Sequence, residues 1–400
     1  MSKNQSVFVA GVGVISAIGN NRMECISALK DGRSGIGPIS YLHTRHKYGF
    51  PVGEVKLSNI ELANKTSLDV NLPRTALLSL IAAQEALTEA NIPNLESLRI
   101  GFVSANSVGG MDLTEDFYKN YLLNNNKGRL KKIVNHGCGS ISQIVAELLG
   151  IRHFVSTIST ACSSSANSIL LGARLIKQGL LDVIVAGGAD ALTRFTLNGF
   201  NSLMILDPNP CKPFDASRNG LNLGEGAGYL TLVSERIAGL LSNTYCKLSG
   251  YYNSNDAYHQ TASSPEGYGS YLAMQGALKK SGVDPIEIGY INLHGTGTQN
   301  NDFSEATAIK RLFEPNYPLM SSTKAFTGHA LGGSGGIEAV FSAQSARYGF
   351  IYPNLRFKTH MEEFPFAPEL NFSVNPNLKN VLSNSFGFGG NCTSLIFSAF

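Results

Sequence analysis

Short, fully apolar runs alternate with helical stretches along this chain, and from about Lys247 the same succession begins again. In the first part, residues 7–15 (VFVAGVGVI) read as a buried strand and residues 100–105 as another, with a helix between them over residues 74–90. That helix carries Leu77, Leu80, Ile81 and Leu87 on one face. Residues 155–158 then pass through a tight turn at Ala161 and Cys162 into a helix bearing Ile169, Leu170, Ala173 and Ile176, which stops at Gly179. Residues 247–252, 269–281, 290–293 and 319–323, then a helix over 335–348, repeat that order. Further strands read at 182–189 and 229–233, a helix at 134–149, and residues 35–70 read as irregular. Strands apolar on both faces need cover on both faces, which predicts an α/β protein with largely parallel, covered sheets. The repetition predicts an internal duplication into halves 1–246 and 247–400, with equivalent turns at Cys162 and at residues 324–329 meeting at a pseudo-twofold axis.

Composition removes several classes of function. A chain of 400 residues, 43% of them hydrophobic, can bury a large core. Its net charge is +3, with no Lys/Arg stripe interleaved with aromatics, so nucleic acid is not an expected partner. The most apolar region, 169–189, is interrupted by Arg174, Lys177 and Asp182 and cannot span a membrane. The six cysteines are scattered, with neither a CxxC pair nor zinc spacing, which suits a reducing compartment and predicts no metal. The first residues lack signal-peptide anatomy, so the expected location is the cytoplasm.

Cys162 stands where a helix begins, and unpaired backbone N–H groups together with the helix dipole favour thiolate there. Alone, it reads first as a buried structural cysteine. The second half offers two glycine-flanked turn histidines, His294 (in NLHGTGT, after a strand) and His329 (in SSTKAFTGH), a setting in which a ligand can approach the backbone. Two other patterns fail. Gly11 and Gly13 begin a dinucleotide-like turn, but Ser16 takes the place of the third glycine. Residues 332–336 satisfy GxSxG without a strand directly before them, and His360 is the only later histidine, with Glu338 between.

TACSSS, HGTGT, STKAFTGH and NSFGFGG, in that order, resemble the β-ketoacyl-acyl-carrier-protein synthases of the elongating, Cys-His-His type, and the resemblance runs over essentially the whole chain. It implies the thiolase fold: five αβαβα layers from two duplicated halves, usually as a homodimer, with a heterodimer containing a chain-length-factor homologue as the alternative. The implied reaction is decarboxylative Claisen condensation. Cys162 would carry the acyl chain as a thioester, and His294 and His329 would stabilise the enolate formed from malonyl-carrier. Lys324 would tune the electrostatics of His329, and Glu338 would partner that lysine. The backbone N–H groups of Cys162 and Phe388 would form an oxyanion hole, with Phe386 and Phe388 in a gating loop. Thr296 and Thr298 would bind the phosphopantetheine arm, and Val108 would line the acyl tunnel. No bound cofactor is implied, because the substrates ride on the phosphopantetheine of acyl carrier protein. Arg129, Lys131 and Lys132 are candidates to dock that acidic carrier.

The chain departs from the family in places. The usual FGFGGTN reads FGFGGNC, placing Asn391 and Cys392 after the gate, and three serines follow Cys162. Residues 42–62 match poorly. Such variation is compatible with a specialised polyketide or aryl-polyene synthase. The competing readings are a non-catalytic chain-length-factor-like subunit and a thiolase-type acyltransferase with Cys392 as second cysteine.

Overall fold

The computed structural model describes residues 5–67 and 71–400. Ten strands make one mixed sheet: β1 (Val7–Ser16), β2 (Ile100–Ala105), β3 (Phe154–Ile158), β4 (Val183–Asp190), β5 (Gly226–Ser234), β6 (Cys246–Asn255), β7 (Ile288–Asn292), β8 (Leu319–Ser321), β9 (Asn380–Phe386) and β10 (Asn391–Ser398). Their spatial order is β3-β2-β4-β5-β1-β6-β10-β9-β7-β8. The second five therefore repeat the first five in reverse, joined where β1 and β6 pair antiparallel at Phe8 with Lys247 and Val9 with Cys246. The sheet is not largely parallel, as the apolar runs suggested: four neighbouring pairs are parallel and five antiparallel. Apolar runs report burial on both faces, and here helices cover antiparallel strands as completely as parallel ones.

Six helices complete the repeat: α1 (Arg74–Ala90), α2 (Cys138–Leu148), α3 (Ser164–Lys177), α4 (Tyr268–Ser281), α5 (Gln299–Phe313) and α6 (Ser334–Tyr348). One core joins α1 and α2 to the outer face of the first five strands, and another joins α4 and α5 to the outer face of the second five. The largest core holds α3 and α6 between the two sets, through residues such as Ile169, Ala173, Val340 and Phe341. The layers are thus helix, sheet, helix, sheet, helix. Every described residue of α6 from Ser334 to Ala346 is buried, which is what a central helix requires.

Two close approaches explain glycines that resembled a nucleotide turn. A Cβ on Gly11 or Gly13 would stand 2.2 Å from the Ala86 oxygen or 2.0 Å from the Ala82 oxygen, so these glycines let α1 lie on β1. Gly228 and Gly336 do the same where β5 crosses α6.

Other readings shift. Residues 35–70 contain a helix, Asn59–Thr66, started by a capping box between Ser58 and Glu61; residues 68–70 lie outside the described residues. The helix expected from residue 134 begins at Cys138, because Leu130–Ile133 is a separate single turn and Val134 is exposed. The helix Met111–Leu123 escaped notice because it has no buried residue to mark a periodic face. The leader reading rested partly on residues 1–4, which also lie outside the described residues. Among the described residues, no helix is long and apolar enough to cross a membrane.

Candidate active site

The turn after β3 carries Cys162 on a constrained backbone. Ala161 adopts φ +53°, a left-handed conformation unusual for a residue with a Cβ. Side chains hold it there: Thr160 N–H donates to Ser164 Oγ at 2.8 Å, and Ser164 Oγ donates to the Ala161 oxygen at 2.5 Å. Ser165 Oγ donates to the Gly332 oxygen, in the glycine-rich turn that precedes α6. The three serines after the cysteine are therefore the fasteners of its turn.

Two turns from the second half meet it. His329 is pinned by its main chain, donating to the Asn222 oxygen at 2.8 Å and accepting from Gly224 N–H at 2.9 Å. Its Nε2 lies 3.1 Å from Cys162 Sγ, and its Nδ1 lies 2.9 Å from Ser334 Oγ. His294 follows β7, and its N–H and that of Gly295 donate to the two oxygens of Glu305 at 2.9 and 2.8 Å. The two imidazoles stand 5.5 Å apart at 84°. Behind His294, Lys324 Nζ donates to the His294 oxygen at 2.6 Å and to Glu338 Oε1, and it faces His294 Nδ1 at 3.3 Å. A cation there leaves Nδ1 only the acceptor role, so the His294 proton sits on Nε2.

Burial dominates the protonation of this cluster. It pushes both imidazoles well below their usual range, helped by Lys324, so both are neutral at pH 7. It raises Glu338 to about 7 against the pull of Lys324. It also raises the Cys162 thiol to about 11, with Lys324 and the Phe388 N–H opposing. The helix start does not make a resting thiolate, contrary to expectation. Desolvation of the buried sulfur outweighs the opposing Lys324 charge and Phe388 N–H, and the neutral imidazole at 3.1 Å is placed to accept its proton.

A cavity of about 470 Å³ opens onto Cys162, His294 and His329, with Thr296, Thr298, Phe386 and Phe388 in its wall. Phe388 stacks on Phe200 at 5.8 Å, and a Cβ on Gly387 would stand 3.1 Å from Cys162 N. The loop at Gly387 and Phe388 therefore lies directly against the Cys162 turn.

Comparison with known families decides the kinship. The model for the β-ketoacyl synthase N-terminal domain matches residues 4–238, and the model for the β-ketoacyl synthase C-terminal domain matches residues 245–358. The chain belongs to the β-ketoacyl synthase family. It is 33% identical over 424 aligned residues to 3-oxoacyl-[acyl-carrier-protein] synthase 2 of Staphylococcus aureus (strain COL), covering all of both chains. It is 31% identical to nodulation protein E of Rhizobium meliloti (strain 1021), covering 98% of this chain and 99% of that one. Among solved structures, a chain of the ishigamide ketosynthase/chain length factor superposes with a TM-score of 0.93 at 27% identity over the whole of both chains. The ketosynthase (ApeO) in complex with its chain length factor (ApeC) from Xenorhabdus doucetiae matches with a TM-score of 0.84 at 31% identity, also over both full chains.

This β-ketoacyl synthase brings together Cys162, His294, His329, Lys324, Glu338, Thr296, Thr298, Phe386 and Phe388. Val108 is not itself in the wall: it is buried with Leu192, Leu197 and Leu331 in an apolar cluster that reaches the cavity through Phe200, Ile205 and Leu221. Cys392 packs on Phe386 and Ala273 and is likewise not part of the wall. Three residues at the site were given no role from sequence. Glu305 holds the His294 turn, and its carboxyl, one helical turn after buried Asp302 on α5, was a readable signal. Asp190 accepts N–H groups from Ser107, Val108 and Gly332, the last at 2.7 Å. Ser334, the serine of the GxSxG coincidence, meets His329 on the side away from Cys162.

Proposed function

We propose that this chain condenses an acyl thioester held on Cys162 with malonyl-carrier, extending the chain by two carbons with loss of CO2. The observation that carries the proposal is a single cavity in which the Cys162 sulfur lies 3.1 Å from a neutral His329 imidazole and beside a second imidazole backed by Lys324. The names of its relatives, 3-oxoacyl-[acyl-carrier-protein] synthase 2 and ketosynthase, support the same reading.

In the first half-reaction, Cys162 Sγ attacks the acyl thioester as its proton passes to His329 Nε2. The resulting oxyanion is met by the N–H groups of Cys162 and Phe388, each such donor being worth roughly 3 kcal/mol of barrier. Collapse expels the pantetheine thiolate, which takes the proton back from His329. In the second, the malonyl thioester oxygen lies between Nε2–H of His294 and Nε2–H of His329. The Ser334 hydroxyl, which can donate or accept, lets His329 exchange the acceptor tautomer of the first step for the donor tautomer of the second. The bond to the carboxylate breaks, CO2 leaves, and the electron pair becomes an enolate that attacks the acyl carbonyl on Cys162. Expulsion of the Cys162 thiolate and uptake of one proton restore the enzyme. Thr296 and Thr298 would hold the phosphopantetheine arm.

The partner in this reading is acyl carrier protein, in the cytoplasm, with the chain as a homodimer of subunits each built from halves 1–246 and 247–400. Pairing with a chain length factor is the second reading, favoured by the ApeO–ApeC structure, in which a ketosynthase has such a partner. Intact-mass analysis of the protein with acyl-carrier and malonyl-carrier tests the central claim. Wild type gains one acyl group and then yields an extended chain, and Cys162→Ala gains none. Acylation of Cys162→Ala would overturn it.

A further inference from the structure

Asn391, one of the two departures after the gate, is the first residue of β10 and has one partner set on each side. Its main-chain oxygen accepts from Gly387 N–H at 2.8 Å and so closes the gate turn, whose Gly390 N–H returns to the Gly387 oxygen at 3.1 Å. Its side-chain Oδ1 accepts from Ser163 Oγ at 2.7 Å and from Asn167 Nδ2 at 2.8 Å, both in the nucleophile turn and the first turn of α3. Asn253 Nδ2 on β6 donates to the same oxygen at 2.8 Å. The turn so held includes the residue next to Cys162, and the loop so closed presents the Phe388 N–H. One residue thus connects the two pieces of backbone that supply the oxyanion donors.

We propose that Asn391 is a positioning residue that fixes the separation of the Cys162 and Phe388 N–H groups, through its carbonyl on the gate turn and its side-chain oxygen on the nucleophile turn. The inference rests on the condensing reading above and adds what sets the geometry of that hole. The glycines between, Gly389 and Gly390, adopt φ +77° and +79°, so the loop has its conformational freedom at those two positions and its anchor at the next. Losing the side-chain oxygen frees Ser163 from β10, leaves Asn167 held to that strand only by Thr393 Oγ1 at 2.8 Å, and lets the two donors drift apart. A transfer step that develops an oxyanion suffers from that drift, and a simple alkylation of the thiol does not.

The test compares two reactions of the same sulfur in the full-length protein. Self-acylation from acyl-carrier generates an oxyanion, whereas alkylation by iodoacetamide generates none. For Asn391→Ala the expected result is a fall in acylation kcat of about tenfold or more, with KM for acyl-carrier and the alkylation rate each within about threefold of wild type. Asn391→Asp keeps the acceptor and adds negative charge near the thiol. It should move the alkylation pH profile to higher pH and, compared at equal thiolate fraction, acylate within about threefold of wild type. Equal losses in both reactions of Asn391→Ala, or no loss in either, overturn the proposal. Should Asn391→Ala fail to fold, Asn391→Asp decides alone: a shifted profile with retained acylation supports it, and an unshifted profile or lost acylation overturns it. A wild-type protein that alkylates but never acylates would instead overturn the condensing reading itself.

Discussion

Replacing Lys324 by methionine separates what the buried lysine does for the fold from what it does for the chemistry. Lys324 is 1% exposed, and its ammonium touches the Glu338 carboxylate, the His294 oxygen and His294 Nδ1. Removing one partner of a buried ion pair usually costs about 3–5 kcal/mol, because the remaining charge is trapped. Here Glu338 titrates at about 7 even beside the lysine, so without it the carboxyl takes a proton at neutral pH. Protonating a group at its own pKa costs less than about 1 kcal/mol, so Lys324→Met should fold and lose only a little stability. The sign agrees: an acid raised in the folded state contributes fully below its unfolded value and loses that contribution as pH rises through its folded value. The deficit of the variant should therefore shrink further in mild acid. The chemical loss should be larger. His294 loses the cation that keeps its proton on Nε2, and a charge-assisted contact of about 2–3 kcal/mol corresponds to roughly a 30- to 150-fold slower decarboxylation. CO2 release from malonyl-carrier, measured beside thermal unfolding at pH 5 to 8 (about the range over which Glu338 titrates), reads both. Decarboxylation within about threefold of wild type, or a stability loss of the trapped-charge size, would refute the reasoning.

His329→Ala removes the proton acceptor of the first step and a donor of the second. Self-acylation should fall at neutral pH and recover as pH climbs toward the thiol value of about 11, whereas malonyl decarboxylation should stay low at every pH, followed by intact mass and CO2 release. Gly387→Ala places a methyl 3.1 Å from Cys162 N and 3.0 Å from the Thr160 oxygen, and acyl transfer should drop about a hundredfold while iodoacetamide still labels Cys162. Reversing the charges of Arg129, Lys131 and Lys132 should raise KM for the carrier about tenfold at low salt, leave kcat alone, and lose its effect as salt is added. An unchanged KM would remove those residues from carrier docking.

The parts of the site that could be read in the sequence are those whose evidence is local. Cys162 follows a strand-like run and precedes a helical one, and His294 and His329 stand beside glycines within a few residues of β7 and β8. The duplication was readable because it repeats such local units in order. Residues that act through distant partners left no such trace. Asp190 meets Gly332 from 142 positions away, and Asn391 meets Ser163 from 228 positions away. Asn391 could be seen as a departure from a motif, but not as a link. The protonation of Cys162 was misread for the same reason: the helix start is visible in sequence, while the burial that raises the thiol depends on how the two halves pack around it. Strand direction was misread because an apolar run records cover on both faces and nothing about its neighbour.

The 3.1 Å between Cys162 Sγ and His329 Nε2 is a property of the seam between the two halves, since each atom belongs to a different repeat of the same strand–turn–helix unit. The first half contributes the nucleophile after β3, and the second contributes the imidazoles after β7 and β8. The repeat is thus symmetric in backbone and asymmetric in chemistry. How close the turns come is set by the small residues between them. Ser165 Oγ bonds the Gly332 oxygen across the seam, and Asp190 takes the Gly332 N–H from the end of β4. A Cβ on Gly332 would stand 2.8 Å from Asp190 Oδ2 and 2.8 Å from Ser107 Oγ, so a larger residue must displace the Ser107 hydroxyl and the carboxylate that holds the Gly332 N–H. Sulfur-to-nitrogen proton transfer weakens steeply beyond hydrogen-bond reach, so even a modest displacement at Gly332 would silence the nucleophile without touching it. The serines and glycines of TACSSS and HALGGSGG are therefore spacers of the proposed reaction as much as the cysteine and histidine would be its reagents.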